Sequence, residues 1–123
     1  VIELVSDLGG GKTAFVRGLA AGMCSKDRVT SPSFTLSNQY QGGGLTLYHF
    51  DFYRLEESGI LQQELAEILQ DPRAVVAIEW AGLVSNVLPP DRLTINIISS
   101  GEESRTLLLQ YPEKLSYLFP DNT

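Results

Sequence analysis

A chain of 123 residues, 43% hydrophobic and 20% charged, has the composition of one ordinary folded domain with room for a real core, and residues 1–123 are expected to form a single unit. Its formal charge of −6 argues against a surface that grips RNA or DNA by neutralising phosphates, and its single cysteine, Cys24, excludes an internal disulfide. No apolar run reaches the length of a bilayer-crossing helix and nothing at the start reads as a signal peptide, so no membrane partner is expected and a reducing cytoplasm is the expected location.

The chain opens on an apolar run, Val1 to Val5, read as a strand. No methionine precedes it, so an N-terminal segment is expected to be missing. Ser6-Asp7-Leu8-Gly9-Gly10-Gly11-Lys12-Thr13 follows, and from Thr13 to about Cys24 the residues Val16, Leu19, Ala20 and Met23 recur at helical spacing. Strand, glycine loop and helix in that order match Gly-x-x-x-x-Gly-Lys-[Ser/Thr], with Ser6 at the first glycine position. In such a loop Leu8, Gly9, Gly10 and Gly11 turn backbone N–H groups and a helix N-terminus toward a chain of phosphates. Lys12 neutralises the outer phosphates, and the Thr13 hydroxyl can bind Mg²⁺. The implied ligand is ATP or GTP. Gly18 and Gly22 suggest that the helix packs closely on a sheet, Arg17 faces outward, and Cys24 reads as a small core residue.

Phe34 to Tyr40 alternates as a strand entered by the Ser31-Pro32-Ser33 loop, Gln41 to Gly44 reads as a turn, and Leu45 to Tyr53 as a second strand of an antiparallel hairpin. Tyr48, Phe50 and Phe52 share the face expected to be core, while His49 and Asp51 share the other. Glu56 to Gln70 places Leu61, Leu65, Ile68 and Leu69 on one side of a helix stopped by Asp71-Pro72. Ala74 to Ile78 is a continuous apolar run, expected of a strand buried on both faces, and it ends in Glu79 and Trp80. After Pro89-Pro90, Leu93, Ile95 and Ile97 alternate, and Ser99 to Ser104 turns the chain into Arg105 to Tyr111, a second hairpin. Leu115, Leu118 and Phe119 suit a short closing helix. The fold class is α/β.

A nucleotide hydrolase needs a carboxylate near the metal and a group that orients the attacking water. Asp51 and Glu79 are the two strand-end acids that qualify. Trp80 can stack on a base or a partner or pack in the core. His49 can transfer a proton or simply fill its strand face, and Thr35 is placed where switch residues sense a terminal phosphate.

Four motifs taken together, Ser6 to Thr13, Ser31 to Leu36, Leu47 to Leu55 and Ile78-Glu79-Trp80, resemble the TsaE family in order and near spacing. That family is the bacterial P-loop ATPase required to make threonylcarbamoyladenosine beside the tRNA anticodon. The resemblance is strong over Val1 to Trp80 and weaker over the C-terminal hairpin. It implies a P-loop NTPase-like mixed sheet, a parallel core with antiparallel hairpins and flanking helices. It also implies ATP and Mg²⁺ as cofactors, two companion protein subunits, and contact with tRNA only through them. By resemblance, Gly9 to Lys12 lie on the phosphates, Thr13 and Glu79 at Mg²⁺, Ser31 and Thr35 in a switch-like loop, and Asp51 is the Walker B-like acid. Trp80 completes the Glu-Trp pair, and Arg105 is a cation near the nucleotide. Departures are Ser6 for glycine, Gly10 for alanine and a short stretch between Leu55 and Leu61. Two other classes stay open: a nucleotide-dependent regulatory protein that needs no hydrolysis, and a small-molecule P-loop kinase.

Overall fold

The computed structural model describes residues 1–6, 11–25, 37–52, 59–81, 87–102 and 104–119. In chain order the elements are strand β1 (Ile2–Val5), helix α1 (Lys12–Gly22), β2 (Ser37–Gly42), β3 (Leu45–Asp51), α2 (Gly59–Ile68), β4 (Ala74–Glu79), β5 (Leu93–Ser99), β6 (Arg105–Gln110) and a closing 3₁₀ helix, Glu113–Leu118. The strands form one sheet in the order β2-β3-β4-β1-β5-β6. β3, β4, β1 and β5 run parallel, while β2 and β6 pair antiparallel at the two edges. This is the mixed α/β architecture that the order of apolar runs implies, with both hairpins in place.

The sheet is covered on both faces. Val16 and Ala20 of α1 pack with Leu4, Tyr40, Leu47, Ala77, Leu93, Ile95 and Ile97 on one side. Leu65 of α2 packs with Phe50, Phe52, Val76 and Ile78 on the other. Each fully buried Leu, Val, Ile or Phe side chain contributes about 1.5–3 kcal/mol relative to exposure. β4 is buried across both faces from Val76 to Glu79, which explains its uninterrupted apolar sequence. The closing helix lays Leu115 and Phe119 against the α1 side of the core, where Phe119 and Tyr111 rings meet at 4.9 Å.

Several expectations are corrected. Both faces of β3 are core, since Leu47 and His49 are as buried as Phe50. An alternating strand laid beside β4 inside a doubly covered sheet has no solvent face to give its second set of residues. Cys24 is exposed, because it sits just past the end of α1 with φ 63°. There the chain closes a Schellman turn, Ser25 N–H donating to Ala20 C=O and Cys24 N–H to Ala21 C=O, each at 3.0 Å. Gly18 and Gly22 are exposed, with nothing among the described residues within 4 Å of where a Cβ would stand, so there they do not mark close packing.

The close approach belongs instead to Gly42, where a Cβ would lie 2.5 Å from both Met23 O and Ser25 N. The hairpin between β2 and β3 rests directly on the end of α1. Its turn is only Gly43-Gly44, both at positive φ, so Gln41 and Gly42 belong to the strand. β3 ends at Asp51, and α2, described from Gly59, ends at Ile68 and not at Gln70. Phe34, Leu36, Tyr53, Glu56 and Glu57 lie outside the described residues.

Candidate functional site

The site forms where the C-terminal ends of the central parallel strands meet the start of α1. Register puts Asp51 beside Glu79 and Glu79 beside Leu4. Side chains of adjacent residues in a parallel sheet share a face, so Asp51 and Glu79 lie on the Leu4 face, which α1 covers. His49 and Ala77 form the preceding row on the same face.

Helix α1 begins at Lys12 after Gly11, whose φ of 102° is open to glycine and strained for any side chain. No side chain caps this end, and the first helical bond is Phe15 N–H to Gly11 C=O at 3.0 Å. The N–H groups of the first turn therefore lack intrahelical partners, and the helix dipole adds positive potential there.

Lys12 is only 7% exposed. Its Nζ lies 3.4 Å from Glu79 Oε1, 3.5 Å from the Ser6 carbonyl and 5.1 Å from the centre of the Trp80 ring. Glu79, 4% exposed, meets His49 through its other oxygen, with His49 Nε2 2.5 Å from Oε2. A buried charge survives only when paired and hydrogen-bonded, and here Lys12, Glu79 and His49 meet that condition together.

Trp80 leaves the strand with φ 59°, a left-handed conformation that a bulky residue rarely takes, and the residue is 42% exposed. Such strain is held at places where a side chain must be aimed, and here the aim is toward Lys12. A cavity of about 210 Å³ lies alongside, lined by Glu3, Leu4, Val5, Ser6, Lys12, Trp80 and Ala81.

Of the residues singled out in the sequence, Lys12, Glu79 and Trp80 come together directly, and Asp51 stands one strand from Glu79. Thr13 is half-buried in the first turn of α1. Arg105, at the start of β6, puts its Nε 3.9 Å from where a Gly11 Cβ would be, so the far hairpin delivers a cation to the start of α1. Its Nη1 also donates to the Ser104 carbonyl at 2.9 Å. Leu8, Gly9, Gly10, Ser31 and Thr35 lie outside the described residues. Two contacts were not anticipated: the Ser6 carbonyl as an acceptor for Lys12, and His49 as the partner of Glu79. Only the shared face of His49 and Asp51 pointed toward the second.

A parallel-cored α/β sheet whose first strand runs through a glycine loop into a lysine-led helix defines a P-loop NTPase-like fold. The family model described as threonylcarbamoyl adenosine biosynthesis protein TsaE matches residues 1–107, and the chain belongs to that family. It is 39% identical over 107 residues to the tRNA threonylcarbamoyladenosine biosynthesis protein TsaE of Bacillus subtilis, covering 87% of this chain and 66% of the relative. The protein of the same name from Nostoc is 44% identical over 84 residues, covering 66% of this chain and 52% of the relative. The one from Treponema pallidum is 40% identical over 97 residues, covering 79% and 71%. The crystal structure of Bacillus subtilis YdiB superposes with a TM-score of 0.69 and 31% identity, over 95% of this chain and 72% of that one. The chain thus spans 66% and 52% of the lengths of the first two relatives. Among the described residues no helix is long and apolar enough to cross a membrane.

Proposed function

We propose that this chain binds and slowly hydrolyses Mg-ATP as a subunit of the cytoplasmic assembly that forms threonylcarbamoyladenosine beside the tRNA anticodon, driving or resetting its cycle. The observation that carries this reading is the buried Lys12 at the uncapped start of α1, within reach of Glu79 and Ser6 and beneath Trp80. A buried lysine at a helix N-terminus with no side-chain cap among the described residues is suited to an anion that bears several charges.

The residues present fit the ligand. Gly11 has the open backbone a phosphate loop requires, and Gly9 and Gly10 precede it in the motif. The Thr13 hydroxyl and the Glu79 carboxylate are hard oxygen donors of the kind Mg²⁺ takes alongside phosphate oxygens, with Asp51 adjacent. When bound, the metal would supply charge neutralisation on the phosphates. Lys12 binds the outer phosphates, Asp51 and Glu79 place the metal and orient water, and Arg105 adds a cation at the loop. Trp80 and the Ser31 to Leu36 loop carrying Thr35 report the state of the nucleotide to two companion protein subunits, and tRNA is reached through them. The relatives are named for tRNA threonylcarbamoyladenosine biosynthesis, which supports this reading.

The test is a calorimetric titration with Mg-ATP, followed by hydrolysis assays with and without the companion subunits. Micromolar or tighter binding with turnover that rises on adding the partners is the expected result. Absence of binding in the intact chain rules the reading out.

A further inference from the structure

The two oxygens of Glu79 are held in different ways. Oε1 faces Lys12, the first residue of α1. Oε2 faces His49, which is 0% exposed and lies within the sheet beyond the reach of any ligand. The first contact can be exchanged for a phosphate. The second cannot.

The far side of the imidazole shows how that second contact is made. Among the described residues, His49 Nδ1 is buried and meets no hydrogen-bond partner. An N–H buried without an acceptor is costly, whereas a bare ring lone pair is the milder deficit. The proton therefore belongs on Nε2, donated to Glu79 Oε2. With no partner for Nδ1 among the described residues, the contact the ring makes is the one through Nε2, which orients Glu79.

We propose that His49 is a positioning residue. It pins Glu79 Oε2, so the carboxylate turns only Oε1 toward the start of α1. When phosphate draws Lys12 away, that oxygen is left aimed at the reacting centre. The proposal rests on Glu79 acting in ATP hydrolysis, as argued above, and extends it to a group that touches neither nucleotide nor metal. Partners of this kind are worth about 10- to 100-fold when they orient a working carboxylate.

His49 is the sole histidine of the chain, so nitrogen NMR of the labelled full chain at neutral pH reads one imidazole without assignment. Expected is a protonated Nε2 with a downfield proton, unchanged after Mg-ATP is added. A bare Nε2 overturns the proposal. In single-turnover assays His49→Leu should lower kcat by about 10- to 100-fold, with the KM for ATP within about threefold. His49→Gln, whose amide nitrogen stands where Nε2 stands, should restore kcat to within about threefold on the same grounds. A Leu variant with wild-type kcat, or a folded Gln variant as impaired as Leu, refutes the positioning role. If His49→Leu fails to fold, the Gln variant and the wild-type spectrum decide. A wild-type chain that binds ATP without hydrolysing it, even with its partners, refutes the functional reading and the catalytic consequence together, while the spectrum separately decides whether the tether exists.

Discussion

Glu79→Ala would leave Lys12, 7% exposed, without the carboxylate that stands 3.4 Å from its Nζ. At an effective dielectric of about 20 the gross attraction over that distance is about 5 kcal/mol. Removing one member of a buried pair costs about 3–5 kcal/mol in net stability. His49 loses its acceptor in the same substitution, which acts in the same direction. For a domain of 123 residues, a loss of that size lowers Tm by roughly 10–20 °C. The effect should shrink when a polyphosphate is present, because phosphate oxygens take over Lys12 in the variant. Mg-ATP should therefore raise the Tm of Glu79→Ala by more than it raises the wild-type Tm at the same nucleotide concentration, because relief of the stranded lysine shows as tighter binding. Differential scanning calorimetry with and without Mg-ATP measures both. A loss under about 1 kcal/mol, with the same nucleotide response as wild type, would show that the Lys12–Glu79–His49 cluster does not hold this end of the sheet together.

Lys12→Ala should weaken Mg-ATP binding by about 1–3 kcal/mol in a calorimetric titration, since it deletes a charge-assisted contact while leaving the loop in place. Equal affinity would remove Lys12 from the site. Asp51→Ala should lower the single-turnover hydrolysis rate at least about tenfold more than it lowers affinity, because water and metal placement matter most as charge develops on the phosphates. Parallel losses in both would assign Asp51 to binding alone. Gly42→Ala should destabilise the chain by about 1–3 kcal/mol or more in urea unfolding, since its Cβ meets backbone atoms of Met23 and Ser25 at 2.5 Å. A neutral outcome would contradict the seating of the first hairpin on the end of α1.

The elements of the fold were legible because their apolar patterns are local. Ala74 to Ile78 reads as a doubly buried strand without help from the rest of the chain, and Lys12, Glu79 and Asp51 stand out by motif and by position at strand ends. Cys24 could not be read correctly, since its exposure follows from where a Schellman turn closes α1 rather than from its own chemistry. The burial of Leu47 and His49 depends on β3 lying beside β4 between two helical covers, a fact of topology that alternation along one strand does not contain. For the same reason the Glu79–His49 contact, 30 residues apart in sequence, and the reach of Arg105 to Gly11 became visible only in three dimensions.

On the function proposed, nucleotide handling at Lys12 serves tRNA modification by an assembly. The direct measurement is multiple-turnover threonylcarbamoylation of tRNA with purified companion subunits and ATP, comparing no added chain, the wild-type chain, Lys12→Ala and Thr35→Ala. Product beyond the first turnover should appear only with the wild-type chain, with Lys12→Ala failing for want of nucleotide and Thr35→Ala failing while keeping much of its ATP affinity. Equal product in every reaction would contradict the account, even if the chain proved a competent ATP binder.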